Sequence, residues 1–455
     1  MPEWIRRRYD GYPKSATGDI PAEATTFWGK SEMNKRCNIG FVSTRFMGND
    51  GTSLETEKWL HLLRDLGYSC FMFGGDCDES ERDYTYLVAE AHFKHPEIQA
   101  IYEVAFSLAR RPPEVTARIW RIKKYLKQQL TRFIRKYDIQ LLIAENALTI
   151  PLNIPLGIAL TELIAETGIQ VIAHHHDFFW ERKRFLTNCV WDYLNMAFPP
   201  HLPTIHHVVI NSSASNQLSL RTGISATLIP NVMDFDHPPS PPDEYTQTLR
   251  EDMGVAADEY FFLQPTRVVQ RKGIEHAIEL IHRLDHKARL IISHASGDEG
   301  HEYEQRIREY AQLLNVPTNF VTEIIREQRG ILEDGRKVYT LWDAYKCADL
   351  VTYPSTLEGF GNAFLEAVYF RKPILVNNYS IFAIDIKPKG FRVIEFDGYI
   401  TDRVVWMVQE VLKNPNMVKE ITDHNYELAR RYYSFSILRR HLQTLLAECF
   451  GERQC

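Results

Sequence analysis

Two carboxylates and two cations, set far apart in the chain, carry the plainest chemistry. Glu358 and Glu366 bracket the run Glu358-Gly359-Phe360-Gly361-Asn362-Ala363-Phe364-Leu365-Glu366, which follows the apolar stretch Leu350 to Tyr353. A buried strand that ends in a Gly-containing loop and opens a helix gathers free N–H groups and the positive end of the helix dipole, where an anion can sit. A carboxylate beside that point cannot serve the anion itself, but it accepts hydrogen bonds from sugar hydroxyls. On spacing alone, an ordinary strand-turn-helix connection explains the pattern equally well. Arg267 and Lys272 lie in Gln264 to Ile274, directly after the strand-like Tyr260 to Gln264. Two fixed cations in such a loop can hold an anion or stabilise charge that builds on a leaving group without a metal. A solvated basic turn is the alternative for an isolated Arg-Lys pair.

The first half of the chain offers a second set. Gly51 and Thr52 sit in the loop Met47 to Ser53, between the first strand and a helix, so a helix N-terminus again faces outward from a sheet edge. His174-His175-His176-Asp177 closes the strand-like Gln170 to Ala173. Neighbouring side chains on a strand alternate in direction, so three consecutive histidines cannot readily hold one ion, and no metal is assigned. Glu145 and Asn146, and Trp180 with Glu181-Arg182-Lys183-Arg184, leave strands at the same edge and are candidates for contacting an acceptor. The cluster at Arg182 could hold an anionic acceptor or be a solvated face.

These residues need a frame to hold them. Short β-branched runs alternate with amphipathic stretches from Asn38 to Ile210 and again from Tyr260 to Val376, as in parallel sheets covered on both faces. Thr52 and Glu55 are placed as a capping box ahead of Trp59, Leu62, Leu63 and Leu66, with Gly67 at the helix end. Pro230 to Pro242 holds five prolines in 13 residues and reads as the connector between two domains. The expected fold class is α/β, with an N-terminal extension over 1–32, a Rossmann-like domain over 33–229, a linker over 230–245 and a second Rossmann-like domain over 246–429. Asp234-Phe235-Asp236 resembles a metal-binding Asp-x-Asp, but its place in the connector argues against that role.

Size and composition set the outer bounds. A chain of 455 residues, 44% hydrophobic and 25% charged, exceeds what one core usually serves. Its 53 Lys and Arg against 59 Asp and Glu leave a charge of -6, which gives no global reason to bind nucleic acid. No segment approaches the roughly 18 apolar residues of a membrane span, and the N-terminus has no apolar run behind its arginines. Seven scattered cysteines without Cys-x-x-Cys spacing fit a reducing, cytoplasmic setting.

The Glu358/Glu366 motif with its internal Gly-Phe-Gly, and Arg267 and Lys272 in the preceding loop, resemble glycosyltransferase family 4, whose members have the GT-B fold and retain anomeric configuration. The resemblance spans most of residues 33 to 445. It implies that Glu358 contacts the donor sugar's hydroxyls and Glu366 the nucleotide ribose, with Arg267 and Lys272 on the diphosphate. Gly51, Thr52, Gly359, Phe360, Gly361 and Asn362 complete the implied donor site. The family places a histidine at the end of the His174 to His176 strand, and position favours His176, with Asp177 orienting it or receiving the acceptor hydroxyl. The implied activity is hexose transfer from a UDP- or GDP-sugar to a small polar sugar or sugar-acid, with front-face displacement, no cofactor and no metal. The family also implies a cleft between the domains and a final helix, about 430–455, that packs back on the first. A glycoside phosphorylase of the same fold and a peripheral-membrane glycolipid glycosyltransferase are the alternatives. The second arises because Arg110 to Lys136 carries ten Lys or Arg and one Glu, with Val115, Ile119, Ile122, Leu126, Leu130 and Phe133 at helical spacing. The same stripe suits a protein core, and membrane association is not favoured.

Overall fold

The computed structural model describes residues 37–46, 48, 51–296 and 301–451. The extension over 1–32 and most of the turn at 47–50 lie outside the described residues. The chain divides into two compact units at Pro230/Asn231, and from Leu438 onward it belongs to the first unit again.

The first unit is built on seven strands: β1 (Asn38–Val42), β2 (Ser69–Gly74), β3 (Thr85–Leu87), β4 (Ile139–Glu145), β5 (Gln170–His175), β6 (Ile205–Val209) and β7 (Thr227–Leu228). They pair in the order β3-β2-β1-β4-β5-β6-β7, all parallel. Ile39, Phe41, Val42, Leu141, Leu142 and Ile143 are fully buried, as continuous apolar strands covered on both faces should be.

The second unit holds β8 (Tyr260–Gln264), β9 (Ala288–Ile292), β10 (Thr318–Phe320), the hairpin strands β11 (Gly330–Ile331) and β12 (Lys337–Val338), then β13 (Leu350–Tyr353), β14 (Ile374–Asn377) and β15 (Ile394–Phe396). Its main sheet runs β10-β9-β8-β13-β14-β15, again parallel, with the antiparallel hairpin separate. Both sheets are doubly wound. Strand order reverses between β1 and β4 in the first and between β8 and β13 in the second, and ligands of such sheets bind at the carboxyl ends of strands flanking the reversal.

Helix α1 (Gly51–Asp65) begins one residue before Thr52. Thr52 is therefore inside the first turn, and Glu55 pairs with Lys58 Nζ at 2.5 Å. Helix α2 (Pro113–Lys136) turns its apolar stripe inward: Val115, Ile119, Ile122, Leu126, Leu130 and Phe133 join the core of the first unit. It packs on α3 (Ile154–Thr167), whose Glu162 accepts from Lys123 at 2.8 Å and from Lys127 at 3.1 Å. In the second unit, α4 (Ile274–Arg283) follows β8, α5 (Leu341–Cys347) precedes β13 and α6 (Asn362–Tyr369) follows it. Along α7 (Phe435–Phe450), Leu438, Leu442, Leu445 and Leu446 are buried, and Arg439 and Glu448 pair with Asp65 (3.5 Å) and His206 (3.8 Å) of the first unit. The connector is fixed within the second unit by Phe235, whose ring meets Tyr369 and Tyr426 edge-on. Asp234 bonds His237 at 3.0 Å and Asp236 accepts from the Ser436 N–H at 3.0 Å, so both carboxylates of the Asp-x-Asp are used locally.

Candidate active site

In the second unit, the loops leaving β8 and β13 clamp each other across the point of strand reversal. Gly273 has φ +58, and a Cβ there would stand 2.5 Å from the Pro354 carbonyl oxygen, so only glycine allows this approach. The Thr356 N–H donates to Arg271 O at 2.8 Å, joining the two loops. The clamp presses Lys272 onto Glu358 in a direct ion pair, with Arg271 3.6 Å from the second carboxylate oxygen. Burial lowers the Lys272 pKa, with Glu358 opposing. Burial pushes the Glu358 carboxyl up, but Lys272 outweighs it and holds the group below its usual range. Arg267, two residues beyond the loop's start, is exposed. The backbone of Ala295 accepts from Val268 N–H at 3.2 Å and brings the β9 exit beside it. There His294 faces the same cations: burial first, then the charges of Arg267 and Lys272, drive its pKa down to about 4. The result is a concentrated positive charge beside one carboxylate, which suits a diphosphate that gains charge as its sugar departs.

Glu366 lies on α6, one turn in from the N-terminus. Tyr345 on α5 donates its hydroxyl to Glu366 Oε2 at 2.8 Å, and burial, then the nearby carboxylate, raise the pKa of that hydroxyl. Gly361 precedes α6 with φ +122, and a Cβ there would lie 2.5 Å from the Tyr379 hydroxyl. Gly361 supplies no side-chain cap at this helix start, where the N–H groups and the positive end of the dipole gather. Phe360, expected among the donor contacts, keeps its ring in the core, where it meets Tyr433 edge-on at 5.4 Å. Asn362 Oδ1 accepts from Asn231 Nδ2 at 2.7 Å and so is engaged with the connector.

In the first unit, Thr52, Glu145, Asn146 and His176 are brought together at the reversal between β1 and β4. Asn146 has φ +55, which turns the chain sharply out of β4. Its Nδ2 donates to Thr52 Oγ1 at 3.3 Å and its Oδ1 accepts the His176 N–H at 3.0 Å, so it fastens α1 to the β5 exit. Glu145 is only 1% exposed and cannot meet an acceptor directly, contrary to expectation. Its carboxylate takes His174 Nδ1 at 3.0 Å and His176 Nε2 at 3.4 Å. Burial alone would raise the Glu145 pKa, but the two imidazoles bring it down to about 2. His174 stacks on Trp59 with centroids 4.3 Å apart, and burial lowers its pKa.

The expected His176–Asp177 pair does not form. Asp177 takes Arg182 Nε at 2.5 Å. Trp180 stacks on Phe178 at 4.5 Å and is half-buried. Alternation along β5 separates His175 from its neighbours: it bonds Thr149 and His207, at 2.5 and 2.9 Å, on the other face. The same alternation, however, puts His174 and His176 on one face. With Glu145 they set two ring nitrogens and a carboxylate oxygen within 4.8 Å of one another, a spacing compatible with a metal ion.

Residues 246–428 match the family model for glycosyl transferases group 1. Over 384 residues the chain is 30% identical to a mannosylglucosylglycerate synthase of Petrotoga mobilis, covering 78% of this chain and 86% of that protein. A mannosylglucosylglycerate synthase of Thermotoga maritima is 29% identical over 423 residues, 86% of this chain and 95% of that one. A glycosyltransferase structure from Rickettsia africae superposes with TM-score 0.65 at 13% identity, covering 92% of this chain and 100% of the other. Two doubly wound units with charged residues at their strand reversals thus make up a GT-B glycosyltransferase. The chain belongs to the glycosyl transferases group 1.

Proposed function

We propose that the enzyme moves a hexosyl group, with retention, from a nucleoside-diphosphate sugar to a hydroxyl of a small sugar-acid. The observation that carries this reading is the placement of Arg267, Lys272, His294 and Glu358 at the strand reversal of the second sheet. Arg267 and Lys272 bind the diphosphate and stabilise the charge it gains. Glu358, held ionised by Lys272, accepts hydrogen bonds from the donor hexose. Glu366, oriented by Tyr345, accepts from the ribose. His176 is assigned a hydrogen bond to a reacting sugar, and the departing phosphate oxygen takes the acceptor's proton during front-face attack.

Relatives named mannosylglucosylglycerate synthases favour a mannosyl donor and a glycosylated glycerate as acceptor for this chain too. Thermal shift with UDP- and GDP-hexoses tests the donor half: a ligand at 100 times its dissociation constant stabilises by about 2.7 kcal/mol. A shift for one nucleotide class supports the proposal, and none for either overturns it. A phosphorylase would bind hexose phosphate and show no dependence on Glu366.

A further inference from the structure

The carboxylate of Glu145 is the centre of a buried cluster at the β4 and β5 exits, and the reading above leaves it without a role. It is the last residue of β4, in parallel register with His174 on β5. His174 and His176, two residues apart, both turn toward it, their Nδ1 and Nε2 at 3.0 and 3.4 Å. Trp59 covers His174, and Asn146 holds the backbone N–H of His176, so neither ring nor main chain is loose. A buried ionised carboxylate only accepts hydrogen bonds, so each nitrogen facing it carries a proton. This fixes the tautomers: His174 has its proton on Nδ1, and His176 has its proton on Nε2. In the neutral imidazole the remaining nitrogen of His176, Nδ1, is then a hydrogen-bond acceptor.

We propose that Glu145 is a positioning residue that locks His176 as the Nε2–H tautomer, so that its Nδ1 receives a hydroxyl hydrogen bond from the reacting sugars. The role rests on the proposed place of His176 at the reacting sugar. Glu145 itself touches no substrate, being 1% exposed. Orientation of an imidazole through its second nitrogen is a general device, and removing the orienting carboxylate typically costs 10- to 100-fold. His174 shares the carboxylate and occupies its other lone pairs, which stops Glu145 from turning away.

The test joins kinetics with nitrogen NMR of the full chain labelled with 15N-histidine, the His176 signal being assigned by its loss in His176→Ala. The wild-type protein is expected to show a protonated Nε2 and a bare Nδ1 at His176. In Glu145→Gln the amide can either donate to Nε2 or accept from it, so the single tautomer is lost, and kcat falls on the order of 10- to 100-fold with the donor KM nearly unchanged. Glu145→Asp, which keeps the charge, recovers part of that loss. Glu145→Gln/His176→Ala is no slower than His176→Ala alone. A wild-type His176 protonated on Nδ1, or full kcat in Glu145→Gln, overturns the assignment, and the wild-type spectrum decides even if the variant does not fold. Full activity in His176→Ala would instead remove His176 from the reaction while leaving the tautomer measurement intact. A stoichiometric transition metal in the purified protein, shifting both histidine signals and lost in Glu145→Gln, would make the cluster a metal site and also overturn the proposal.

Discussion

At the scale of single residues, the donor half separates binding from turnover. Tyr345 donates to Glu366 from a fully buried position, and a hydrogen bond to a charged group contributes about 1.5–3 kcal/mol. Tyr345→Phe is therefore expected to raise the donor KM roughly 10-fold or more, with kcat little changed, if the carboxylate it steadies serves the ribose as proposed. Glu358→Gln is expected to lower kcat mainly, since it removes the charge proposed to meet the donor hexose and leaves Lys272 buried without its partner. Steady-state kinetics of the two variants check this division, and equal losses in both parameters for both would contradict it. The charged candidates were legible as two local pairs, Arg267 with Lys272 and Glu358 with Glu366, although the pairs themselves lie far apart in the chain. Tyr345 and His294 were not, because they arrive through sheet neighbours 21 residues before Glu366 and 22 after Lys272. On β5, spacing misled: adjacency suggested His176 with Asp177, whereas strand alternation pairs His176 with His174 and offers both to Glu145.

At the scale of elements, the strands that lie inside the sheets were plain in the sequence. Tyr260–Gln264 and Leu350–Tyr353 are the observed β8 and β13, since a strand buried on both faces is a short apolar run between turn residues. The edge strands β3, β7 and β15 and the hairpin β11–β12 have two or three residues each and too little apolar periodicity to stand out. The basic helix α2 had two readings from sequence, and its stripe lies in the protein core. Leu126, fully buried in the middle of that stripe, should cost about 2–5 kcal/mol on Leu126→Ala, read as a lowered Tm or denaturant midpoint. A stability change under 1 kcal/mol would mean that the helix does not pack as described. Gly361 sets the entry to α6, and Gly361→Ala must displace the Tyr379 hydroxyl while holding a left-handed backbone. Weakened nucleotide binding, by thermal shift, is the expected outcome.

At the scale of the whole molecule, buried histidines tie stability to pH. Burial lowers the pKa of His207 and His294 to about 4 and that of His175 well below its ordinary value. Their neutral forms suit the folded state, so their contribution is present above about 6.5, the unfolded value, and is lost as pH falls toward 4. Glu145, held down at about 2, adds a loss that begins below about 4.5. Glu181 acts in the opposite sense: burial and Asp177 raise its pKa to about 7, so it favours the fold at lower pH between about 4.5 and 7. Three histidines against one carboxyl predict a net fall in Tm from pH 6.5 to 4.5, with net proton uptake on unfolding, measurable by calorimetry in buffers of different ionisation enthalpy. A Tm that stays level or rises over that range would contradict the neutral burial of these histidines.

The central claim concerns the reaction. Incubation of the full chain with an α-linked nucleoside-diphosphate hexose and a glycosylated glycerate, followed by proton and phosphorus NMR, reads both products at once. The expected result is one nucleoside diphosphate released for each new α-glycosidic bond, lost in Glu358→Gln. A β-linked product, or orthophosphate release from a hexose phosphate with no use of any nucleotide sugar, would contradict it.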